Sequence, residues 1–132
     1  IRTLGDHDFL RAFQVIDRVI QNGQPVFGLV WLGSVVSLIA ATAFGFGAWE
    51  TADRIMAIAA LALWLFGVQL PTMAINVPLN NQLQAQELHS LSESALREAR
   101  MTFEPRWVTW NHLRTVLAVA ASLLLMLLCL RT

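Results

Sequence analysis

The stretch VFGLVWLGSVVSLIAATAFGFGAW, Val26 to Trp49, runs for 24 residues without a charge. About 20 such residues cross the hydrocarbon core of a bilayer as a helix, and soluble helices rarely go so far without a polar face. Two further stretches repeat the pattern. After Glu50, Asp53 and Arg54 no charge occurs until Glu87, and the apolar part of that interval, residues 55–79, is a second span. A third, residues 107–130, is interrupted only by Arg114. The sequence therefore predicts an all-α transmembrane helical bundle, with three spans in this chain, in a single membrane-embedded domain.

Composition agrees. Hydrophobic residues make up 56% of the 132 and charged residues 14%, where soluble domains carry about 25% charged. The nine basic residues are all Arg and are balanced by nine acids, so the chain lacks the basic surplus of a nucleic-acid binder. Cys129 is the only cysteine, which excludes an intramolecular disulfide and a cysteine metal cage. The start, IRTLGDHD, has neither the basic nor the apolar part of a signal peptide, and is read as a processed or truncated beginning.

Ahead of the first span, residues 8–21 place Phe9, Phe13, Ile16 and Ile20 on one side and Arg11, Gln14, Arg18 and Gln21 on the other. That spacing predicts an amphipathic helix lying along the interface or under the bundle. Residues 87–104 read as a polar loop with a short exposed helix whose charges form a solvated face, ended by Pro105 before the third span. With three crossings, Arg2, Arg11, Arg18, Arg97, Arg100 and Arg106 share one side, and Arg54 and Arg131 the other. The positive-inside rule puts the first set in the cytoplasm. The expected location is a bacterial inner membrane.

Four features inside the spans carry the functional argument. Gly33, Ser37, Ala41 and Gly45 form a stripe of small residues on the first span, suited to close approach by a neighbouring helix or a second copy of the chain. On the second span Gln69, Thr72, Asn76 and Asn80 recur every three or four residues. Hydrocarbon cannot satisfy such groups, so the stripe must face protein or water. Pro71 and Pro78 flank it, freeing the carbonyls of Gly67 and Ala74, and predict a kink. On the third span WVTWNHLRT places Trp107, Trp110, Asn111 and Arg114 on one face.

Arg114 either snorkels to the headgroups or turns inward to meet the polar stripe, and the second reading is preferred because a charge inside a span marks function by default. His112 lies about 100° around the helix from Asn111. No two histidines have helical ligand spacing, so no metal site is expected. Asp17 borders the apolar face of the first helix and reads as an interfacial carboxylate, with a counter-ion role for Arg114 as the alternative.

NVPLNNQL (Asn76 to Leu83), WVTWNHLRT (Trp107 to Thr115) and FLRAFQVID (Phe9 to Asp17) together resemble the anthrone-oxygenase-like family of small four-helix membrane proteins. The likeness runs from Phe9 to Leu130. It implies a fourth transmembrane helix ahead of the amphipathic segment in the complete protein. It also implies oxidation of an anthrone to an anthraquinone by dioxygen without flavin, haem or metal, hence no cofactor, in a site carried by Asn76, Pro78, Asn80, Trp110, Asn111 and Arg114. An anthrone reacts with dioxygen once deprotonated, so the protein need mainly bind, orient and stabilise an anion. Arg114, Asn111, Asn80 and His112 are the candidate catalytic groups, with His112 or Asp17 as base; Asn76, Gln69, Thr72, Trp107 and Trp110 are the candidate contacts to a lipophilic aromatic between the second and third spans. The competing class is a non-catalytic membrane subunit or binding protein whose polar stripe is structural.

Overall fold

The computed structural model describes residues 3–132; Ile1 and Arg2, which bear on the chain start and on the Arg count, lie outside the described residues. Four helices make up the fold: α1 (Asp6–Gln21), α2 (Pro25–Gly45), α3 (Thr51–Gln84) and α4 (Glu93–Arg131). The last three are long and apolar enough to cross a membrane. Only 6% of the apolar window of α2, 22% of that of α3 and 11% of that of α4 is buried within the chain. A soluble protein does not leave surfaces of that size uncovered; lipid is the solvent these helices fit.

Gly23, at φ 76°, turns the chain between α1 and α2, a left-handed conformation that glycine adopts without steric cost. Pro25 then opens α2, where its missing N–H is no loss. The helix stops at Gly45, short of Trp49, because the chain turns there and the Trp49 indole lies where a Cβ on Gly45 would stand. The small-residue stripe is otherwise unused within the chain: Gly33 has open space beside it, and Ser37 and Ala41 are exposed.

The second span is longer than residues 55–79 and contains two wide, π-helical segments, Leu63–Gln69 and Thr72–Asn76. Leu70 N–H donates to the Leu65 carbonyl and Val77 N–H to that of Thr72, both five residues back. Each wide segment ends just before a proline. A proline removes the donor four residues on, and shifting the ladder to the fifth residue lets the helix pass through Pro71 and Pro78 unbroken. At Gly67 the α4 side chain Leu117 comes within 2.7 Å of a Cβ position, so α3 and α4 approach closely there.

Pro105 does not end a helix. The short exposed helix expected within 87–104 and the third span are one 39-residue helix, α4, with Pro105 inside it. The proline costs the Met101 carbonyl its partner, but Met101 is exposed. Both flanks are docked: Phe103 and Trp107 pack edge-on against Phe13, at 4.8 and 4.7 Å between ring centroids. Arg100 also bridges the break by donating to Glu104 at 2.7 Å. Ser92 caps the start of α4 by accepting from the Ala95 N–H. Only residues 85–92 are loop, with a 3₁₀ turn at Leu88–Ser90.

The charges of this segment are not merely solvated. Arg100 reaches Asp6 at 3.1 Å and the Leu4 carbonyl at 2.8 Å, and stacks over Phe9, tying α4 to α1. The inward face of α1 is Phe9, Leu10, Phe13, Gln14 and Asp17, while Ile16 and Ile20 are exposed. The expected apolar side is thus rotated toward two polar residues. The cause is the end of α3, whose last carbonyls need donors: Gln14 Nε2 donates to Leu83 O at 2.8 Å and Gln86 O at 3.0 Å. In return Gln84 Nε2 donates to Gln14 O at 2.7 Å. Leu79, Leu83, Leu88, Leu96 and Phe103 complete the core with Phe9 and Leu10 at this end of the bundle.

At the opposite end Asp53 is buried and accepts from Arg131 at 2.6 Å, and Arg54 lies over the Phe46 ring. Single cysteines at Glu87 and Thr51, both exposed, with Cys129 replaced, are expected to label from opposite faces of the membrane, Glu87 from the cytoplasm. Labelling of both from one face would exclude three crossings.

Candidate functional site

The polar stripe of α3 faces inward. Val68, Gln69, Thr72, Asn76 and Asn80 line a partly open cavity of about 670 Å³, bordered by Asp17 of α1, Phe27 and Trp31 of α2, Trp64 of α3, and Trp107 and Arg114 of α4. Its size and mixed apolar and polar lining are those of a small-molecule site.

Arg114 turns into the bundle rather than toward the headgroups. Its Nη1 donates to Thr72 Oγ1 at 2.9 Å and its Nη2 to Asn111 Oδ1 at 2.7 Å. Asn111 thus holds the guanidinium from one turn away on the same helix, without itself lining the cavity. Two of five N–H donors are engaged, and no carboxylate pairs with Arg114 among the described residues. A partly buried cation without a counter-ion makes this wall favourable to an anion.

Toward the α1 end of the bundle the wall is built around Asp17, which is only 6% exposed. Its Oδ1 accepts from Asn80 Nδ2 at 2.7 Å, and its Oδ2 from Gln21 at 2.5 Å and Gln84 at 3.1 Å. Trp107 Nε1 donates to Asn80 Oδ1 at 3.0 Å. An indole N–H can only donate, so the Asn80 amide has its oxygen toward Trp107 and its NH₂ toward Asp17. Asp17 is therefore not the ion-pair partner of Arg114. It is buried where α1 crosses the end of α3.

Between these two poles, unpaired polar groups are packed into the cavity wall. Both amide atoms of Gln69, both of Asn76 and the Trp64 indole nitrogen are buried without a protein partner. Buried polar groups in folded proteins are nearly always paired, and each orphan costs about 1–3 kcal/mol. All three side chains belong to residues that line the cavity, with their polar atoms turned away from its space.

Of the residues singled out in the sequence, Arg114, Asn80, Asn76, Gln69, Thr72 and Trp107 meet here. Trp110 is half-buried outside the cavity. His112 is exposed and borders a separate space of about 210 Å³ among Phe9, Phe13 and Phe103; the 100° offset from Asn111 carries it to the outside of α4. Sequence reasoning passed over Trp31 and Trp64. Their signal was position, since tryptophan in spans concentrates at the interfaces and these two stand well inside.

No curated protein and no solved structure matches the chain. The sequence model of the anthrone oxygenase family matches residues 17–124, a stretch that begins at the buried carboxylate and takes in every residue that lines the large cavity. With four fifths of its length matched, the chain belongs to the anthrone oxygenase family.

Proposed function

We propose that the chain is a membrane oxidoreductase that oxidises a flat, lipophilic, anthrone-like aromatic with dioxygen inside this cavity. The observation that carries the reading is Arg114: a cation with spare donors and no counter-ion, facing a cavity edged with indoles. The substrate's methylene carbon loses a proton, and the electron pair left behind moves into the rings and onto the opposite oxygen. Arg114 holds that oxygen, in a setting of low dielectric where charge–charge attraction is strong.

The carbanion carbon then bonds to dioxygen, the distal oxygen takes a proton, and loss of water breaks the O–O bond and leaves a second carbonyl. One dioxygen is consumed and one water formed for each quinone. Trp31, Trp64 and Trp107 supply flat apolar surfaces for the rings, while Gln69 and Asn76, turned into the cavity by side-chain rotation, offer donors and acceptors to their oxygens. Binding and orientation are the protein's contribution, and these can account for a large part of a barrier. A lipophilic substrate concentrates in the bilayer, and α2, with little of its surface buried, is the cavity's boundary on that side.

The test is direct. The purified chain in detergent, supplied with an anthrone, is expected to consume one dioxygen per quinone formed at a rate well above the detergent blank. A rate equal to the blank would overturn the reading.

A further inference from the structure

Resting on that reading, we propose that Asp17 is the catalytic base of the site: its Oδ1 takes the methylene proton while Arg114 holds the oxygen on the opposite side of the same ring. Among the residues lining the cavity, Asp17 and Arg114 are the only ionisable ones. One can accept a proton; the other can hold the negative charge that results.

The carboxylate has a position left to accept it. A carboxylate offers about four lone-pair sites, and three are occupied by the amides of Asn80, Gln21 and Gln84. Two of those bonds fall on Oδ2 and one on Oδ1, so the unused site is on Oδ1. The amides fix the group in place, and Asn80 is itself fixed by Trp107. Gln21 is exposed, donates also to the exposed Asn81 at 3.0 Å, and with it lines the cavity, so Oδ2 lies toward an exposed rim through which a proton can leave.

The separation suits the chemistry. Asp17 is held by Asn80 and Arg114 by Thr72, eight residues apart on α3, a rise of about 12 Å between the two anchoring positions. A contact of about 3 Å at each end leaves room for one ring, with its carbonyl toward Arg114 and the opposite carbon toward Asp17. Asn76 lies between them on the same wall. In an anthrone the acidic methylene and the carbonyl face each other across the central ring, so one orientation satisfies both groups. The C–H bond breaks, the O–H bond forms on Asp17, and the electron pair travels across the ring to the oxygen at Arg114.

The test separates this role from the oxidation itself. Full-length protein in detergent, without oxygen and in D₂O, is given an anthrone, and deuterium entering its methylene is followed by mass spectrometry. Binding is followed in parallel by quenching of tryptophan fluorescence. The wild-type chain is expected to accelerate exchange over the detergent blank, and Asp17→Asn to lose about 100-fold or more of that acceleration with little change in affinity. Asp17→Glu keeps the charge but moves it by one carbon, and is expected to fold and to exchange about tenfold more slowly. Exchange at the wild-type rate in either variant, or no acceleration by the wild type, overturns the assignment. Exchange that depends on Asp17 without oxidation in air would keep Asp17 as the base and remove the oxygenase reading. Oxidation in air with exchange indifferent to Asp17 would do the reverse.

Discussion

Arg114→Leu is expected to lower turnover of an anthrone by about 100- to 1000-fold, the usual effect of removing one donor from a site that stabilises an oxyanion. The chain should still fold, because the partners of Arg114 are Thr72 and Asn111 and no ion pair is broken. Arg114→Lys is expected to recover part of the loss: an ammonium supplies the charge, but cannot span Thr72, Asn111 and a substrate oxygen as the planar fork does. Steady-state rates beside melting curves in the same detergent check both variants. In a purely structural subunit, losing an unpaired charge from a span would be neutral or stabilising, with no other consequence.

The second large effect is one of opposite sign on stability and function. Asn76→Leu, close in volume, replaces an amide that is buried with neither atom paired. It is expected to raise stability by about 1–3 kcal/mol, the cost recovered when an unsatisfied polar group is removed. Substrate affinity should fall, because ligand entry is expected to turn the amide of this cavity-lining residue outward and use its donor and acceptor. Gln69→Leu should behave alike. Thermal melting and binding titrations on one preparation decide it; a destabilised Asn76→Leu would mean that the amide is satisfied in the folded chain and not reserved for a ligand. This pairing of a cost in stability with a gain in binding is what sites commonly show.

Much of this was legible in the sequence, and the reasons for what was not are physical. The absence of charge over Val26–Trp49 is a property of the chain alone, and so is the three- and four-residue recurrence of Gln69, Thr72, Asn76 and Asn80; both survive folding because the bilayer permits few alternatives. Pro105 misled because its local penalty is real. What outweighs it is tertiary, the docking of Phe103 and Trp107 on Phe13 from another helix. The burial of Asp17 was not legible for the same reason, since its three amide partners include Asn80 and Gln84, more than sixty residues away. His112 stands beside the key asparagine in sequence, yet on another side of its helix. Neighbours along a helix are not neighbours around it.

At 39 residues, α4 is about 58 Å long, nearly twice the thickness of a hydrocarbon core of about 30 Å. Its first turns, with Arg97 and Arg100, therefore project beyond the bilayer, and the packed cluster of Phe9, Leu10, Leu83, Leu88 and Leu96 goes with them. The protein consequently works in two solvents. Its buried apolar cluster sits at the watery end, where expelling water from apolar surface drives assembly, and its cavity runs from that cap, at Asp17, into the spans, at Arg114, where that force is absent and packing and hydrogen bonds must suffice. Urea, acting on the first, should unfold the cap formed by α1 and the base of α4 before it disturbs the spans. A change of lipid or detergent, acting on the second, should alter what enters beside α2 while leaving the cap intact.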